Sequence, residues 1–330
     1  MKRLLAFIGL FVLFLLANRF LPELIDTYYI HLLTLSCINI ILAVSLNLIN
    51  GTTGQFSLGH AGFMAVGGYT SASLTYYLGP KLITGLNFLP AILAKNLIFL
   101  FALLGGGLSA ALLGLLVGIP SLRLRGDYLA IVTLGMGEIV RVLILNVEAI
   151  GGARGFSGIP AYTNLFWIIS MTVLTIVAVT SLVNSSHGRA FLSVREDEIA
   201  AEAMGINTTY YKVTAFVIGA FFAGMAGCLF GHYLQLLHPN SFTFIKSFEI
   251  IIMIIVGGLG SVFGSVIAAI ILTLLPEALR YLGPVKDWRM VIYSLALIIL
   301  MLTRPQGLFG SWTPDWRKLW PAKKTSPAVS

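Results

Sequence analysis

Long apolar runs recur along almost the whole chain, with polar residues gathered into short stretches between them. Runs near or above the roughly 20 residues that carry a helix across a bilayer lie near 4–22, 29–49, 88–118, 128–147, 163–184, 212–236 and 289–303. Run 88–118 is longer than one simple span, which predicts a tilted or broken helix. Two other stretches depart from the pattern. Residues 55–78 are apolar but dense in glycine, serine and threonine, and residues 247–275 are interrupted by Gly257-Gly258-Leu259-Gly260-Ser261. Lipid offers backbone groups no partner, so irregular backbone at this depth must be enclosed by protein or line a wet cavity. The pattern predicts an all-α fold, a polytopic helical membrane protein of about 8–10 transmembrane segments, some of them broken or re-entrant.

Composition agrees. Of the 330 residues, 58% are hydrophobic and only 10% charged, against about 25% charged in a soluble domain. The net charge of +8 does not point to nucleic acid, because the basic residues are scattered between apolar runs or gathered in short loops and the tail, as topology signals are. Cys37 and Cys228 sit in apolar runs and belong to no metal-spaced cluster, so they read as small helix residues. The start, Met1-Lys2-Arg3 and then Leu4 to Ala17, mimics a secretory signal, but Asn18-Arg19 follow without a clear cleavage site. A retained first helix is expected.

Basic residues order the spans. Lys2 and Arg3 place the N-terminus in the cytoplasm; Arg123 and Arg125 mark one cytoplasmic loop, and His187, Arg189, Arg195 and Lys212 another. The tail, with Arg304, Arg317, Lys318, Lys323 and Lys324, belongs on the same side. Two cytoplasmic ends require an even number of crossings. Counting 55–78 and 247–275 as one each gives nine; dividing 247–275 at its glycines, into halves each too short to cross alone as a straight helix, gives ten. The second count is preferred, although it leaves Arg280, Lys286 and Arg289 outside. Gly106, Ala110, Gly114 and Gly118 form a small-residue ladder at every fourth position, as do Gly219, Ala223, Gly227 and Gly231. Such ladders let helix backbones approach closely in lipid.

Three places could carry chemistry. The first is the polar, glycine-rich stretch from Asn47 to Phe63, with Gly54, Gln55, Ser57, Gly59 and His60, together with the interruption at Gly257 and Gly258. A pair of glycine-broken apolar segments in the two halves of a chain points to a transport path. The alternative is that these glycines only permit turns and packing, and His60 alone reads as a hydrogen-bonded packing residue. The second place is the loop 185–211. Ser193 followed by Glu196 has the capping-box spacing, acidic Glu196, Asp197 and Glu198 suit a helix start, and Gly205 can end it, so a short helix is expected near 194–204. It would serve as a docking lever for a soluble partner or as a solvated connector. The third is the pair Glu138 and Arg141, three residues apart within a span, with Glu249 a further intramembrane carboxylate. Glu138 could be the coupling site of an ion-driven secondary transporter or a structural pair. No phosphate-binding loop, zinc-type cluster or nucleophile elbow occurs, so this chain holds neither a metal nor a catalytic centre of its own, and any ATP is hydrolysed on another subunit.

Residues 50–63 (Asn-Gly-x-x-Gly-Gln-x-Ser-Leu-Gly-His-Ala-Gly-Phe), Pro120 to Tyr128, Arg195 to Asn207, Gly257 to Ser261, and Arg304-Pro305-Gln306-Gly307-Leu308 together resemble the permeases of branched-chain amino acid ABC importers, the LivH/LivM family, and most closely its M-type member. The resemblance implies one transmembrane permease domain over 1–310, containing the cytoplasmic coupling loop 185–211, and a basic cytoplasmic tail over 311–330. It implies a bacterial inner membrane, a heterodimer with an H-type permease, two ATPase subunits and a substrate-binding protein, with no cofactor in this chain. Arg195, Glu196, Asp197, Glu198, Ala201, Glu202 and Gly205 would contact or shape the ATPase coupling. Related permeases for urea or short amides are the alternative within the class.

Overall fold

The computed structural model describes residues 26–85, 90–121, 127–280, 288, 291, 294–295, 298–299, 302–304 and 307–308. The expected first span 4–22, the loop with Arg123 and Arg125, Lys286, Arg289, most of the span 289–303, and the tail 311–330 lie outside the described residues. The described chain is helical apart from one pair of two-residue strands. In order come α1 (Thr27–Asn47), prolonged by a π-helical turn over Leu48–Thr52; α2 (His60–Ser73), prolonged by another over Leu74–Leu78; and α3 (Gly79–Gly85). Then follow α4 (Ala91–Ser121), α5 (Asp127–Asn146), β1 (Phe156–Ser157), α6 (Leu165–Val183), α7 (Ser186–Glu196) and α8 (Glu198–Ala203). Last are α9 (Thr208–Leu234), β2 (Leu236–Leu237), α10 (Phe244–Gly257) and α11 (Val262–Arg280).

Six stretches among the described residues, Thr27–Thr52, Ile92–Ile119, Tyr128–Asn146, Leu165–Val183, Thr208–Leu234 and Val262–Arg280, are long and apolar enough to cross a membrane. Five of these six occupy runs expected from the apolar pattern; the sixth, Val262–Arg280, overlaps the second half of 247–275, which was expected to be too short to cross alone. The run near 88–118 is one unbroken helix of 31 residues, about 46 Å long, and not a broken one. It exceeds the ~30 Å hydrocarbon core, so it must tilt or project beyond it. The interruption at 257–261 divides two helices as expected, but their lengths differ. α10 has 14 residues and spans only about 21 Å, whereas α11 has 19 and is long enough to cross alone. Both extend beyond 247–275, which is why the second half was underestimated.

The interior is built from α1, α2, α4 and α9. Backbone proximity replaces hydrophobic attraction, which lipid does not supply between helices. At the crossing of α2, α4 and α9, a Cβ on Gly67 would lie 2.2 Å from the Gly224 Cα, and one on Gly106 would lie 2.6 Å from the Gly67 carbonyl oxygen. The two ladders do not face each other. The ladder of α4 meets α9 one residue away from the ladder there: a Cβ on Gly114 would reach Ala220 and Phe216, and one on Gly224 would reach Ala110 and Gly106. The α9 ladder faces the other way, Gly219 against Ser45 and Ile49 of α1 and Gly227 against Met64 of α2.

Cross-links fix which ends coincide. β1 pairs antiparallel with β2, Phe156 opposite Leu237, and the Tyr69 hydroxyl donates to the Leu237 carbonyl at 3.0 Å. The Tyr77 hydroxyl reaches the Ala149 carbonyl, and Tyr28 at the start of α1 donates to Glu277 near the end of α11. These mark one end of the bundle. At the opposite end, Gly260 beyond α10 donates to Asn47 of α1, and Arg195 of α7 donates to the Gly51 carbonyl. The Leu308 N–H bonds the Val256 carbonyl at 2.7 Å, so the chain has returned to the α7–α8 end by then. Arg280 closes α11 at the β end. Among the described residues the chain thus alternates between the two ends.

Candidate functional site

The motif segments meet at the α7–α8 end. Residues 53–59 leave the π-turn of α1 as an irregular segment that turns back beside it, with Gln55, Ser57 and Gly59 buried and Gly54 and Phe56 exposed. The Gln55 N–H bonds the Ile49 carbonyl, and side chains satisfy other backbone groups of the segment. Asn50 clamps Ser57 by accepting from its N–H at 3.2 Å and donating to its carbonyl at 3.3 Å. The Leu58 N–H donates to the Thr133 hydroxyl of α5, and the Ala61 N–H, in the first turn of α2, donates to the Ser247 hydroxyl of α10, both at 3.0 Å. The Ile49 carbonyl at the widened turn accepts from both the Thr53 hydroxyl at 2.6 Å and the Gln55 N–H at 3.1 Å.

Two kinds of residue emerge among those expected to line a path. The glycines approach backbone. A Cβ on Gly59 would lie 2.3 Å from the Thr133 carbonyl oxygen, one on Gly257 would lie 2.5 Å from Gly264, and Gly258 (φ 105°) lies against Gly307. Gly54 (φ 69°) lies against the stem of Arg195. The polar side chains differ. Ser57 and His60 are fully buried and Gln55 nearly so. His60 Nε2 pairs with Ser45 Oγ at 2.8 Å, but His60 Nδ1, Ser57 Oγ, both Gln55 amide atoms and Asn47 Nδ2 have no protein partner. Buried polar atoms in native proteins are almost always paired, so these atoms have capacity for water or another polar partner, as do the hydroxyls of Thr34, Ser36 and Thr163.

Glu138 is engaged. Its carboxylate accepts from Arg141 Nε at 2.7 Å and from the Phe244 N–H, the first of α10, at 3.2 Å. The N-cap residue Thr243 supplies no side-chain bond, so Glu138 performs that service from α5 and meets the positive helix end. Glu249 pairs with Lys246, which also donates to Asn39 at 3.2 Å. On the β side, outside the helices, burial raises the Tyr162 phenol above its ordinary value. No group of acidic, His or Cys residues suited to a metal occurs among the described residues.

The loop between α6 and α9 folds as two helices, not one near 194–204. Ser193 is no cap; it lies inside α7 and donates to the Arg189 carbonyl. The caps are Ser185, which accepts from Gly188, and Asp197, whose Oδ1 accepts from Ile199 at 2.9 Å and Ala200 at 3.1 Å. The end at Gly205 is as expected: with φ 82°, Gly205 N–H bonds the Glu202 carbonyl and Ile206 N–H the Ala201 carbonyl, a Schellman closure. Most of the charged residues expected to dock a partner are exposed yet already bonded within the chain, and only Glu198 is half-buried. Glu198 pairs with Lys212 at 2.5 Å, Glu202 accepts from Thr208 at 2.6 Å, Arg195 holds Glu196 and Gly51, and Ala201 is buried. The outward groups are Ile199, 67% exposed, and Met204, 82% exposed, with Ala200 and Ala203. Reasoning from charge missed these. Two large apolar residues standing in an otherwise charged, extramembrane helix were the signal.

The family described as branched-chain amino acid transport system / permease component matches residues 28–302. Over 89% of its length the chain is 35% identical to the high-affinity branched-chain amino acid transport system permease protein LivM of Escherichia coli, covering 73% of that protein. A probable LivM permease of Methanocaldococcus jannaschii is 28% identical over 81% of this chain and 89% of its own. The LivH permease of Salmonella typhimurium is 31% identical over 49% of this chain and 52% of its own. No solved structure matches. Six apolar spanning helices with the motif segments gathered at one end, and a match over most of the chain, place this protein in the branched-chain amino acid transport permease family.

Proposed function

We propose that this permease is the M-type half of an ATP-driven importer that carries leucine, isoleucine and valine across a bacterial inner membrane. The relatives' branched-chain amino acid transport supports the substrate class, and the likeness to both LivM and LivH supports a second permease as partner. The observation that carries the coupling is α8. It is a capped, two-turn helix outside the membrane spans, fastened to α9 through Glu198–Lys212 and presenting Ile199, Ala200, Ala203 and Met204 outward. That small uncharged face suits a groove on an ATPase subunit, with two such subunits on the cytoplasmic side and a binding protein docking at the β end. Both termini then lie in the cytoplasm, as the basic residues imply.

The cycle is alternating access. ATP binding closes the ATPase pair, α7 and α8 move with it, and the helices open to the other side; hydrolysis resets them. The nucleotide drives this only through its different affinity for the two states. Within this chain Gln55, Ser57 and His60 are the residues proposed to meet the solute or its water. Their unpartnered polar atoms, unlike the glycines, await a partner. The substrate class is tested by uptake of labelled leucine into vesicles holding the full complex. Isoleucine and valine should compete and urea should not; competition by urea or short amides alone would reject the amino acid assignment.

A further inference from the structure

We infer that Arg195 is the positioning residue that passes movement of α7 and α8 to the membrane helices, an inference that rests on the importer reading above. Arg195 occupies the last turn of α7, two residues before the extended Asp197 (φ −156°, ψ 111°) at which α7 gives way to α8. Its guanidinium is divided between two tasks. Nε and Nη2 hold Glu196 Oε1 at 3.1 and 2.5 Å, which leaves Nη1 to donate to the Gly51 carbonyl at 3.0 Å. The aliphatic stem lies on Gly54, where a Cβ would come within 2.8 Å of Arg195 Cγ. Nη1 also lies over Gly260, where a Cβ would be 3.0 Å away.

One side chain therefore touches the end of α1 and the turn between α10 and α11. Those two segments are joined independently, since the Gly260 N–H donates to Asn47 Oδ1 at 2.8 Å. Gly258 in the same turn meets Gly307, and Leu308 bonds Val256, so the last described stretch of chain is tied in as well. The segments that Arg195 touches are suited to move. Gly51 belongs to a π-helical turn, whose widened geometry has an alternative in ordinary α-helix, and the turn at Gly258 and Gly260 (φ 105° and 87°) packs directly on Gly51, so the two segments shift together. The other strap from this region, Glu198 to Lys212, leads instead to α9, which is locked by backbone contact with α2 and α4. Arginine suits the post because its fork satisfies a carboxylate and a carbonyl in fixed directions at once, which the single ammonium of lysine does not.

The test uses the complete complex, with both permeases, the ATPase subunits and the binding protein, reconstituted in vesicles. ATP hydrolysed and leucine taken up are measured together for wild type, Arg195→Ala, Arg195→Lys and Lys212→Ala. Arg195→Ala should raise the ATP consumed per leucine about tenfold or more, the scale of a typical coupling energy, with Arg195→Lys between it and wild type. Lys212→Ala should lower hydrolysis and uptake together, with their ratio unchanged. An unchanged ratio in Arg195→Ala overturns the inference, whether or not total uptake falls. Failure of both Arg195 variants to assemble also overturns it, because Arg195 would then be a folding residue. Wild-type vesicles without ATP-dependent uptake would overturn the importer reading, and this inference with it.

Discussion

At the crossing of α2, α4 and α9, backbone meets backbone over Gly67, Gly106 and Gly224, with no side chain between. At the α7–α8 end, backbones also approach closely, a Cβ on Gly51 lying 2.3 Å from the Gly260 nitrogen, but there the side chains of Asn47 and Arg195 also bridge the end of α1, the α10–α11 turn and α7. The first contact is short-ranged and unforgiving, since a single methyl has nowhere to go. The second adds a set of discrete hydrogen bonds, each worth only about 0.5–1.5 kcal/mol net, which can be exchanged for others as the joined segments shift together. A transporter needs both, a body that stays rigid and a joint that moves, and this chain builds them from different chemistry.

Crowding the rigid crossing should have the largest effect. Gly67→Ala places its methyl 2.2 Å from the Gly224 Cα, so a loss of about 1–3 kcal/mol is expected, and Gly67→Leu should leave no monodisperse protein after solubilisation. Thermal unfolding of Gly67→Ala at the wild-type temperature would show the crossing to be looser than described. Gly59→Ala should behave the same way, because Thr133 blocks it, and so should lower stability before it lowers transport.

The joint should fail differently. Gly205→Pro cannot adopt φ 82° and loses the bond to Glu202, a strain of about 1–3 kcal/mol. Roughly ten- to hundredfold weaker ATPase co-purification is expected, with membrane insertion intact. Normal co-purification would remove α8 from the coupling role. A similar split is expected for Met204→Asp, which puts a charge on the outward face, whereas Glu198→Lys should act by setting two cations together and loosening α8 from α9. Insertion assays alongside ATPase capture separate these outcomes from misfolding.

The smallest effect is expected at Glu138. Glu138→Gln keeps an acceptor for the Phe244 N–H and loses only charge at the start of α10, so stability should fall by about 1 kcal/mol or less and ATP-driven uptake should persist. Abolished uptake with normal stability would instead make Glu138 an ion-coupling site.

Much of the fold was legible because lipid imposes a simple rule on length and polarity. Five of the expected spans and the break at 257–261 follow from it, while the closure at Gly205 follows from glycine's freedom at positive φ. What sequence spacing could not supply was register and partnership. The ladder in α9 is real, but it serves α1 and α2 while Phe216, Ala220 and Gly224 receive α4, because both faces of a central helix are packed. Ser193 and Glu196 have the capping spacing, yet Asp197 with two backbone N–H groups in reach takes the role and starts the helix four residues later. The sequence placed Arg195, Glu196, Glu198 and Glu202 at the coupling loop but could not show their bonds within the chain, Arg195 to Glu196, Glu198 to Lys212 and Glu202 to Thr208. Asn47 opened the candidate polar stretch, but its bond to the α10–α11 turn, more than two hundred residues on, was beyond the reach of spacing.

The central claim is that ATP, acting through α8, drives amino acid through this chain. The most direct measurement is leucine uptake in vesicles holding this permease with its partner subunits, with ATP supplied or withheld and with an imposed ion gradient or none. Uptake that requires ATP and the binding protein and ignores the gradient is the predicted result. Uptake that follows the ion gradient and proceeds without ATP would contradict it.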